Sequence, residues 1–464
     1  MKQNQVTKEA KGGNSGAMDM TQGNPYRLIF FFSMPLLLGN VLQQLYNMVD
    51  SIIVGNIVGT KALAAVGTGF PVIFMMCSLF MGVGTGATVM ISQYFGAKDF
   101  DRLQDTVSTI YSAMLVGVVP LMAIGMLLSR PLLVMMKVPD DGTLALASQY
   151  MLIIFAGIIG TIGYNINSGI LQGLGDSKTS LIFLAIATVI NIVLDLLFTA
   201  WIRMGVAGVA LATIIAQISS WLFGVRYIQK KYSFIKISFR HLHFDKILFK
   251  QALRLGIPSG IQQALFSVGT MVLQSLVNSY GSAFMAGFNG ANKIDTFAFM
   301  PVQSFSIAVT TYVGQNIGAK KLERVKHGVR SAMIMAAVAC IVIGAIIFPL
   351  SATMMRMFSQ EEAVIASGVV YLQTVLPFYV LLAASFIYNG ALRGSGEMVV
   401  PLISSMIGLW LARVPAAYLL AHFFGSGYIY YSYAIGWVFG VLISGLYYRT
   451  GRWSNKGLTG ASAS

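Results

Sequence analysis

The segment Gly-Ala-Lys-Asp-Phe-Asp-Arg-Leu at residues 96–103 recurs as Gly-Ala-Lys-Lys-Leu-Glu-Arg-Val at residues 318–325, an offset of 222 residues. A second segment, Leu-Gln-Gly-Leu-Gly-Asp-Ser-Lys-Thr-Ser at 171–180, recurs in weaker form as Leu-Arg-Gly-Ser-Gly-Glu-Met-Val-Val-Pro at 392–401, an offset of 221. Such similar offsets at separate landmarks predict that one structural unit was duplicated. Two further pairs have nearly the same spacing: Pro35 with Pro258, and Gly59 with Gly281.

Long apolar runs surround both copies of the repeat. The chain is 56% hydrophobic and only 10% charged, whereas a soluble protein carries about 25% charged residues. An apolar run of about 20 residues is long enough to cross a bilayer. We therefore predict an all-α integral membrane protein with twelve transmembrane helices in two pseudo-twofold-related six-helix bundles. The predicted spans are 27–55, 62–94, 105–136, 144–171, 179–202, 207–229, 252–279, 285–316, 326–355, 364–392, 399–421 and 428–449.

The duplication also predicts the domain organisation. Residues 27–230 form an N-terminal six-helix lobe and residues 252–449 a C-terminal six-helix lobe, with tails at 1–26 and 450–464. Residues 231–251 interleave basic and apolar side chains, which indicates either an amphipathic linker in contact with membrane lipids or a plain basic connector. Because six spans is an even number, both lobes have the same orientation, an arrangement that suits alternating access.

The net charge of +15 is unevenly distributed among the predicted segments. Of the 31 lysines and arginines, 24 lie in the tails, in alternate loops or in the span ends next to them, five in or next to the opposite loops, and two deep inside spans. This asymmetry predicts a multi-pass protein of the cell membrane with both termini in the cytoplasm, and it disfavours nucleic acid as a partner. The polar first 24 residues predict no cleavable signal peptide. The five basic residues on the opposite side are Lys61, Arg130, Lys137, Arg203 and Arg356, and the two deep inside spans are Lys293 and Arg413.

Motifs for catalysis or metal binding are absent from the sequence. It contains no Walker A loop, no nucleophile elbow and no helical pair with metal-ligand spacing. Cys77 and Cys340 lie in the middle of apolar spans, where small apolar filling is the simplest interpretation. We therefore expect a protein that is not an enzyme and that needs no cofactor.

Three acidic residues lie inside predicted spans, where a charge is expensive and suggests a function or a close partner. Asp50 ends a polar stripe on span one, in which Asn40, Gln43 and Asn47 share its helical face. Asp195 lies on span five, one turn after Asn191 on the same face. Two carboxylates in one lobe can hold a proton or, with amide oxygens, bind Na⁺. Their alternative role is a hydrogen bond in helix packing.

The second half lacks equivalents of these two acids, since the offset places Ala416 opposite Asp195. It carries instead Lys293 and Asp295 on span eight and Arg413 on span eleven. Ion pairing between helices, for example Asp295 with Arg413, and a role in substrate gating are both open interpretations. Polar stripes on spans seven and eight could line a substrate cavity or join helices by hydrogen bonds. Their members are Gln263, Ser267, Thr270, Gln274, Asn278, Asn292, Thr296 and Gln303.

From about residue 25 to residue 450 the chain resembles the MATE (multidrug and toxic compound extrusion) family. The resemblance rests on the duplication, Asn47-Met-Val-Asp50-Ser, the loop at 171–180 and the pair Asn191-x-x-x-Asp195. It implies a V-shaped, monomeric transporter that exports small organic cations in exchange for H⁺ or Na⁺. It also implies a cation site at Asp50, Asn191 and Asp195, joined by a span-four asparagine, either Asn165 or Asn167.

The sequence departs from one branch of that family. The NorM-like branch has acidic residues in spans seven and ten, whereas the matching part of span seven here is Ala264-Leu-Phe-Ser267 and residues 364–392 contain no acid. This favours the DinF-like branch, with ion coupling in the N-terminal lobe. Two alternatives remain: a flippase for lipid-linked precursors from the same superfamily, and a channel or scaffold without coupling.

Overall fold

A computed structural model describes residues 17–237 and 243–458, and these residues form helices and connecting turns without a β-strand. Each predicted span coincides with a helical segment, which confirms the all-α fold class. The twelve segments, numbered as spans one to twelve, are Pro25–Val58, Thr60–Ala97, Phe100–Met135, the pair Thr143–Ala156 and Ile158–Gly173, Ser177–Trp201, Val206–Lys231, Lys246–Asn278, Ser282–Gly318, Leu322–Arg356, Glu362–Ser395, Val399–Phe424 and Ser426–Arg449.

Most of these segments are apolar enough to cross a membrane on their own. Among the described residues, nine are long and apolar enough, and the two helices of span four make a tenth when they are taken together. Spans seven and eight, at Lys246–Asn278 and Ser282–Gly318, are equally long but include more amide and charged side chains. For their polar side chains the sequence left two roles open, the lining of a substrate cavity and hydrogen bonds between helices.

Span four is not the single helix predicted for residues 144–171. Thr143–Ala156 and Ile158–Gly173 meet at an angle of 54° on either side of Gly157. A β-carbon at Gly157 would lie only 2.3 Å from the side chain of Ile214 in span six. The close packing of span six against the bend therefore requires a residue without a side chain at position 157, and this contact cannot be read from the sequence of span four alone.

Three spans contain a π-helical turn, a feature that is frequent at functional sites. One turn, Val54–Val58, begins four residues after Asp50, and a second, Leu197–Trp201, begins two residues after Asp195. A third, Ile407–Arg413, interrupts span eleven. The winding of spans one and five therefore changes directly after the two candidate acids.

The duplicated segments fold alike. Lys98 and Lys320, in the two Gly-Ala-Lys copies, both adopt the left-handed conformation, with φ of 59° and 57°. A non-glycine residue rarely adopts this conformation. The same uncommon turn at both positions shows that the sequence repeat is also a structural repeat.

The loops after spans four and ten also correspond. Asp176 and Glu397 each accept hydrogen bonds from backbone N–H groups in the first turn of the next helix. Each carboxylate also binds a lysine: Lys231 Nζ lies 2.7 Å from Asp176 and Lys456 Nζ lies 3.1 Å from Glu397. The loop after span four is thus fixed to the end of span six, and the loop after span ten is fixed to the segment that follows span twelve.

The chain divides into two compact units. One comprises Leu38–Gly260 with the tail through Asp19, and the other comprises Ile261–Ser464 with Met20–Leu37. The predicted lobes, 27–230 and 252–449, follow chain order, whereas this grouping divides spans one and seven. Parts of the predicted tails and linker, residues 1–16, 238–242 and 459–464, lie outside the described residues.

Candidate functional site

Two acidic side chains from different spans meet in the first unit. Asp195 on span five is fully buried, and its side-chain neighbours are Asp50 on span one and Asn191 one turn earlier. The carboxyl groups of Asp50 and Asp195 interact directly. Because an ionised carboxylate has only acceptor atoms, this contact becomes a hydrogen bond only when one of the two carries a proton.

The oxygens of this cluster lack donors. Among the described residues, no donor reaches Asp50 Oδ1, Asn191 Oδ1 or either Asp195 oxygen with hydrogen-bond geometry. The Asn191 amide nitrogen donates instead to Thr213 Oγ1, at 3.5 Å. Buried acceptors without partners are unfavourable, and a proton or a metal cation supplies what they lack. The arrangement is therefore chemically suited to holding a cation.

Three further residues surround the acids. Tyr46, one turn before Asp50, lies close to Thr213 on span six, and Tyr150 on span four lies close to both carboxylates. None of these three residues was predicted from the sequence. The spacing of four between Tyr46 and Asp50 could have indicated the first, but nothing in the sequence links Thr213 or Tyr150 to span one.

The two candidate asparagines of span four have different environments. Asn167 is buried, and its side chain accepts a hydrogen bond from Tyr111 OH and donates one to Trp221 O at 2.8 Å. Asn165 is half-buried and donates to Thr161 O of its own helix. The Asn167 amide therefore joins spans three, four and six, and Asn165 retains a free carbonyl oxygen among the described contacts. Participation of either residue in cation binding stays a prediction.

The polar stripe on span one remains accessible in the described structure. Asn47 is exposed, while Asn40 and Gln43 are half-buried. Gln43 Nε2 donates to Asn47 Oδ1 at 3.3 Å, across one helical turn. These side chains follow one face of the helix that ends near Asp50, as the sequence predicts. Their contact with substrate stays a prediction.

A second buried polar cluster lies in the second unit. Asp295 accepts a hydrogen bond from Tyr379 OH, and Arg413, which is 8% exposed, stacks with its guanidinium carbon 3.3 Å from the centre of the Tyr433 ring. Arg413 contributes to the electrostatic environment of Asp295, but the described residues include no ion pair between them. Both charged side chains therefore contact tyrosines, and the ion pair between them, one of the two interpretations that the sequence left open, is not observed among the described residues.

The other predicted cavity residues of the second half are only partly buried. Lys293 is exposed, with its Nζ 5.9 Å from the centre of the Phe358 ring. Gln274 donates to Asn278 along its own helix, at 2.8 Å. Their roles toward a substrate stay predictions. The half-buried members of this set are Gln263, Ser267, Gln274 and Asn292.

A duplicated, all-helical fold with buried acids inside its spans defines a multi-pass membrane transporter. The sequence model of the MatE family matches the chain twice, over residues 35–197 and 258–419. The double match agrees with the internal repeat. The chain belongs to the MATE family of multidrug efflux transporters.

Named relatives from bacteria match over almost the full chain. The Bacillus subtilis (strain 168) protein named "Probable multidrug resistance protein YpnP" is 33% identical over 94% of this chain and 98% of its own length. The Staphylococcus aureus (strain NCTC 8325 / PS 47) protein named "Multidrug export protein MepA" is 21% identical over 80% of this chain and 82% of its own.

Solved structures of MATE transporters have the same fold. An outward-facing multidrug resistance MATE transporter of the MOP superfamily aligns with a TM-score of 0.85, 25% identity and coverage of 94% of this chain and 98% of its own. A MOP superfamily transporter from Pyrococcus furiosus aligns with a TM-score of 0.87 at the same identity and coverage. For that protein, a binding pocket of reversed polarity is described as suggesting a different function.

Proposed function

We propose that this protein is a secondary antiporter that exports small organic cations and drugs in exchange for H⁺ or Na⁺, with the coupling site at Asp50, Asn191 and Asp195. The observation that carries the proposal is that the half-buried Asp50 carboxylate faces the fully buried Asp195 carboxylate. Within the described residues, no donor bonds to Asp50 Oδ1 or to either oxygen of Asp195. A buried ion without a partner is strongly unfavourable. The pair therefore needs a cation, and a transporter can draw that cation from a gradient.

The proposed mechanism follows from charge neutralisation. A proton or Na⁺ that enters the site removes the repulsion between the carboxylates of spans one and five. The packing of span one against its neighbours then changes, and the bound drug is released. A return to the ionised state resets the site for the next drug molecule.

The setting of this activity is proposed from charge and composition. The distribution of lysine and arginine favours a location in the cell membrane with both termini in the cytoplasm. We propose that the protein acts as a monomer in contact with membrane lipids. The names of its relatives support small organic drugs as the substrate class.

Drug efflux from cells that express single variants tests the proposal. Asp50→Asn and Asp195→Asn keep the side-chain shape but remove the charge, and each is expected to abolish efflux of a fluorescent organic cation. Asp140→Asn, at an exposed loop position, is the matched control and is expected to retain it. Normal efflux in both site variants would contradict the proposal.

Purified protein in liposomes separates the two coupling ions. Uptake of the dye is measured with an imposed H⁺ gradient in the absence of Na⁺ and, separately, with an imposed Na⁺ gradient at equal pH. One of the two is expected to drive uptake by the wild type and not by Asp195→Asn. If neither gradient drives uptake, the protein is not a cation-coupled antiporter.

A further inference from the structure

The tail in front of span one is bound to the second unit through its backbone. Met20 N donates to Gln315 Oε1 at 2.8 Å, and Met20 O accepts from Asn316 Nδ2 at 3.1 Å and from Arg324 at 3.2 Å. Thr21 O accepts from Lys321 Nζ at 2.9 Å. Met20 itself is fully buried. These hydrogen bonds thus hold the main chain at two consecutive residues, and they do not involve the side chains of those residues.

The side chains that hold the tail come from one junction. Gln315 and Asn316 lie at the end of span eight, and Lys321 and Arg324 lie at the start of span nine. Arg324 Nε also donates to Asn316 Oδ1 at 3.2 Å, which orients the amide toward Met20. Gln315 and Asn316 are both fully buried. The junction therefore forms a preorganised socket, since its groups hold one another in place.

The position of this socket matters because span one begins only a few residues later, at Pro25. The segment Met20–Leu37 belongs to the second unit, whereas the rest of span one belongs to the first. Asp50 lies 25 residues beyond Pro25, which is about 37 Å along a helix. The end of span one remote from its acid is thus held by spans eight and nine.

The segment in front of span seven is held in a comparable way by the first unit. Gln104 exchanges two hydrogen bonds of 2.7 Å with the backbone of Lys236. Ser108 Oγ accepts from His243 N, also at 2.7 Å. Side chains of span three thus bind the backbone that leads into span seven. In both halves of the repeat, therefore, the segment that precedes the first span is fixed through its main chain.

We propose that Gln315, Asn316 and Arg324 are positioning residues that anchor the start of span one. With this end of the helix held, cation binding or release at Asp50 moves span one as a whole and is not taken up by a displacement of the segment in front of it. The inference rests on the proposed coupling role of Asp50. Loss of the anchor lowers the rate of transport and leaves cation binding by the acids unchanged, because the socket touches neither carboxylate.

Thiol labelling tests whether the anchor exists, without any measurement of transport. In a Cys77→Ala/Cys340→Ala background, Met20→Cys in purified protein is expected to react with a maleimide at least tenfold more slowly than Gln22→Cys, since position 22 is exposed. Adding Arg324→Gln is expected to accelerate labelling at position 20. Adding Arg330→Gln, an exposed position on the same helix, is expected to leave it unchanged. Equal labelling at positions 20 and 22 would overturn the anchor.

Efflux measurements then test what the anchor does. Arg324→Gln and Asn316→Ala are expected to reduce efflux of a fluorescent cation several-fold, with the Na⁺- or acid-linked stabilisation of the purified protein retained. Arg330→Gln is expected to transport normally. If Arg324→Gln exposes position 20 and efflux stays at the wild-type level, the positioning role is refuted. Normal efflux in Asp50→Asn would instead refute the coupling proposal and leave the labelling result intact.

Discussion

The buried acid pair predicts that cations stabilise the folded protein. In the described part of the chain, no donor bonds to four acceptor atoms of this site, which are Asp50 Oδ1, Asn191 Oδ1 and the two oxygens of Asp195. An unsatisfied buried polar group costs about 1–3 kcal/mol. A cation bound at the site relieves part of this cost only in the folded state. The resulting stabilisation follows from mass action and reaches about 2.7 kcal/mol at a cation concentration of 100 times Kd.

Equilibrium unfolding of the purified protein in detergent micelles measures this effect. At pH 8, replacement of choline by Na⁺ is expected to raise the free energy of unfolding if Na⁺ is the coupling ion. If the proton is the coupling ion, the free energy of unfolding in choline is expected to fall as the pH rises, because the proton then leaves the folded site. Tryptophan fluorescence follows the transition in both series.

The variant Asp195→Asn provides the decisive comparison. If the substitution weakens cation binding 100-fold, the same cation concentration equals Kd and the stabilisation falls to about 0.4 kcal/mol. Asp140→Asn is expected to behave like the wild type, since this side chain is exposed. A wild type that responds to neither Na⁺ nor acid, or an Asp195→Asn variant that responds fully, would refute the reasoning.

Two further predictions concern packing and loop electrostatics. A β-carbon at Gly82 would lie 2.3 Å from Gly256 O, whereas one at Gly84 meets nothing within 4 Å. Thermal unfolding is therefore expected to show that the Gly82→Ala variant is less stable than the Gly84→Ala variant by about 1–3 kcal/mol. Equal stabilities of the two variants would contradict the close approach of the helices at Gly82. Burial raises the pKa of the Glu397 carboxyl, but its interactions with Lys456, with Tyr447 and with the backbone N–H of Val399 together outweigh burial and leave that pKa lowered. Glu397→Gln should therefore destabilise the protein by about 1–3 kcal/mol at pH 7. The difference in free energy of unfolding between the variant and the wild type should shrink as the pH falls below about 4, because the wild-type carboxylate is then protonated. A difference that does not change with pH would show that the charge of Glu397 is not responsible.

The sequence predicted which acids lie inside spans but not their surroundings. Asp50 and Asp195 could be identified because a charge inside an apolar run is rare, and their helical faces followed from spacings of three and four residues. Tyr150 and Thr213 could not be identified, because they reach the acids from spans four and six. Asn167 was a candidate for the cation site because of its residue type and its position on span four. Its hydrogen bonds to Tyr111 and Trp221 could not be predicted, because they depend on how three helices pack.

The internal repeat predicted the symmetry of the fold and missed its irregularities. Matching offsets placed the two Gly-Ala-Lys turns and the two capping acids, Asp176 and Glu397, because local conformation follows local sequence. The bend at Gly157 was not predicted, and the close approach of Ile214 to Gly157 could not be read from the sequence of span four. The docking of Met20 was also missed, because a buried backbone segment leaves no pattern in its own residues.

By itself the sequence determined that the chain spans a membrane, that its halves are copies and that its charges are unevenly distributed. The first and third properties follow from composition along the chain, and the second follows from the similarity of segments about 222 residues apart. None of the three depends on how the helices pack. Only the tertiary structure decided which polar atoms meet: Asp50 with Asp195, Asp295 with Tyr379, and Met20 with the junction of spans eight and nine. Such contacts join residues up to about 300 positions apart, and they exist only once the helices have packed.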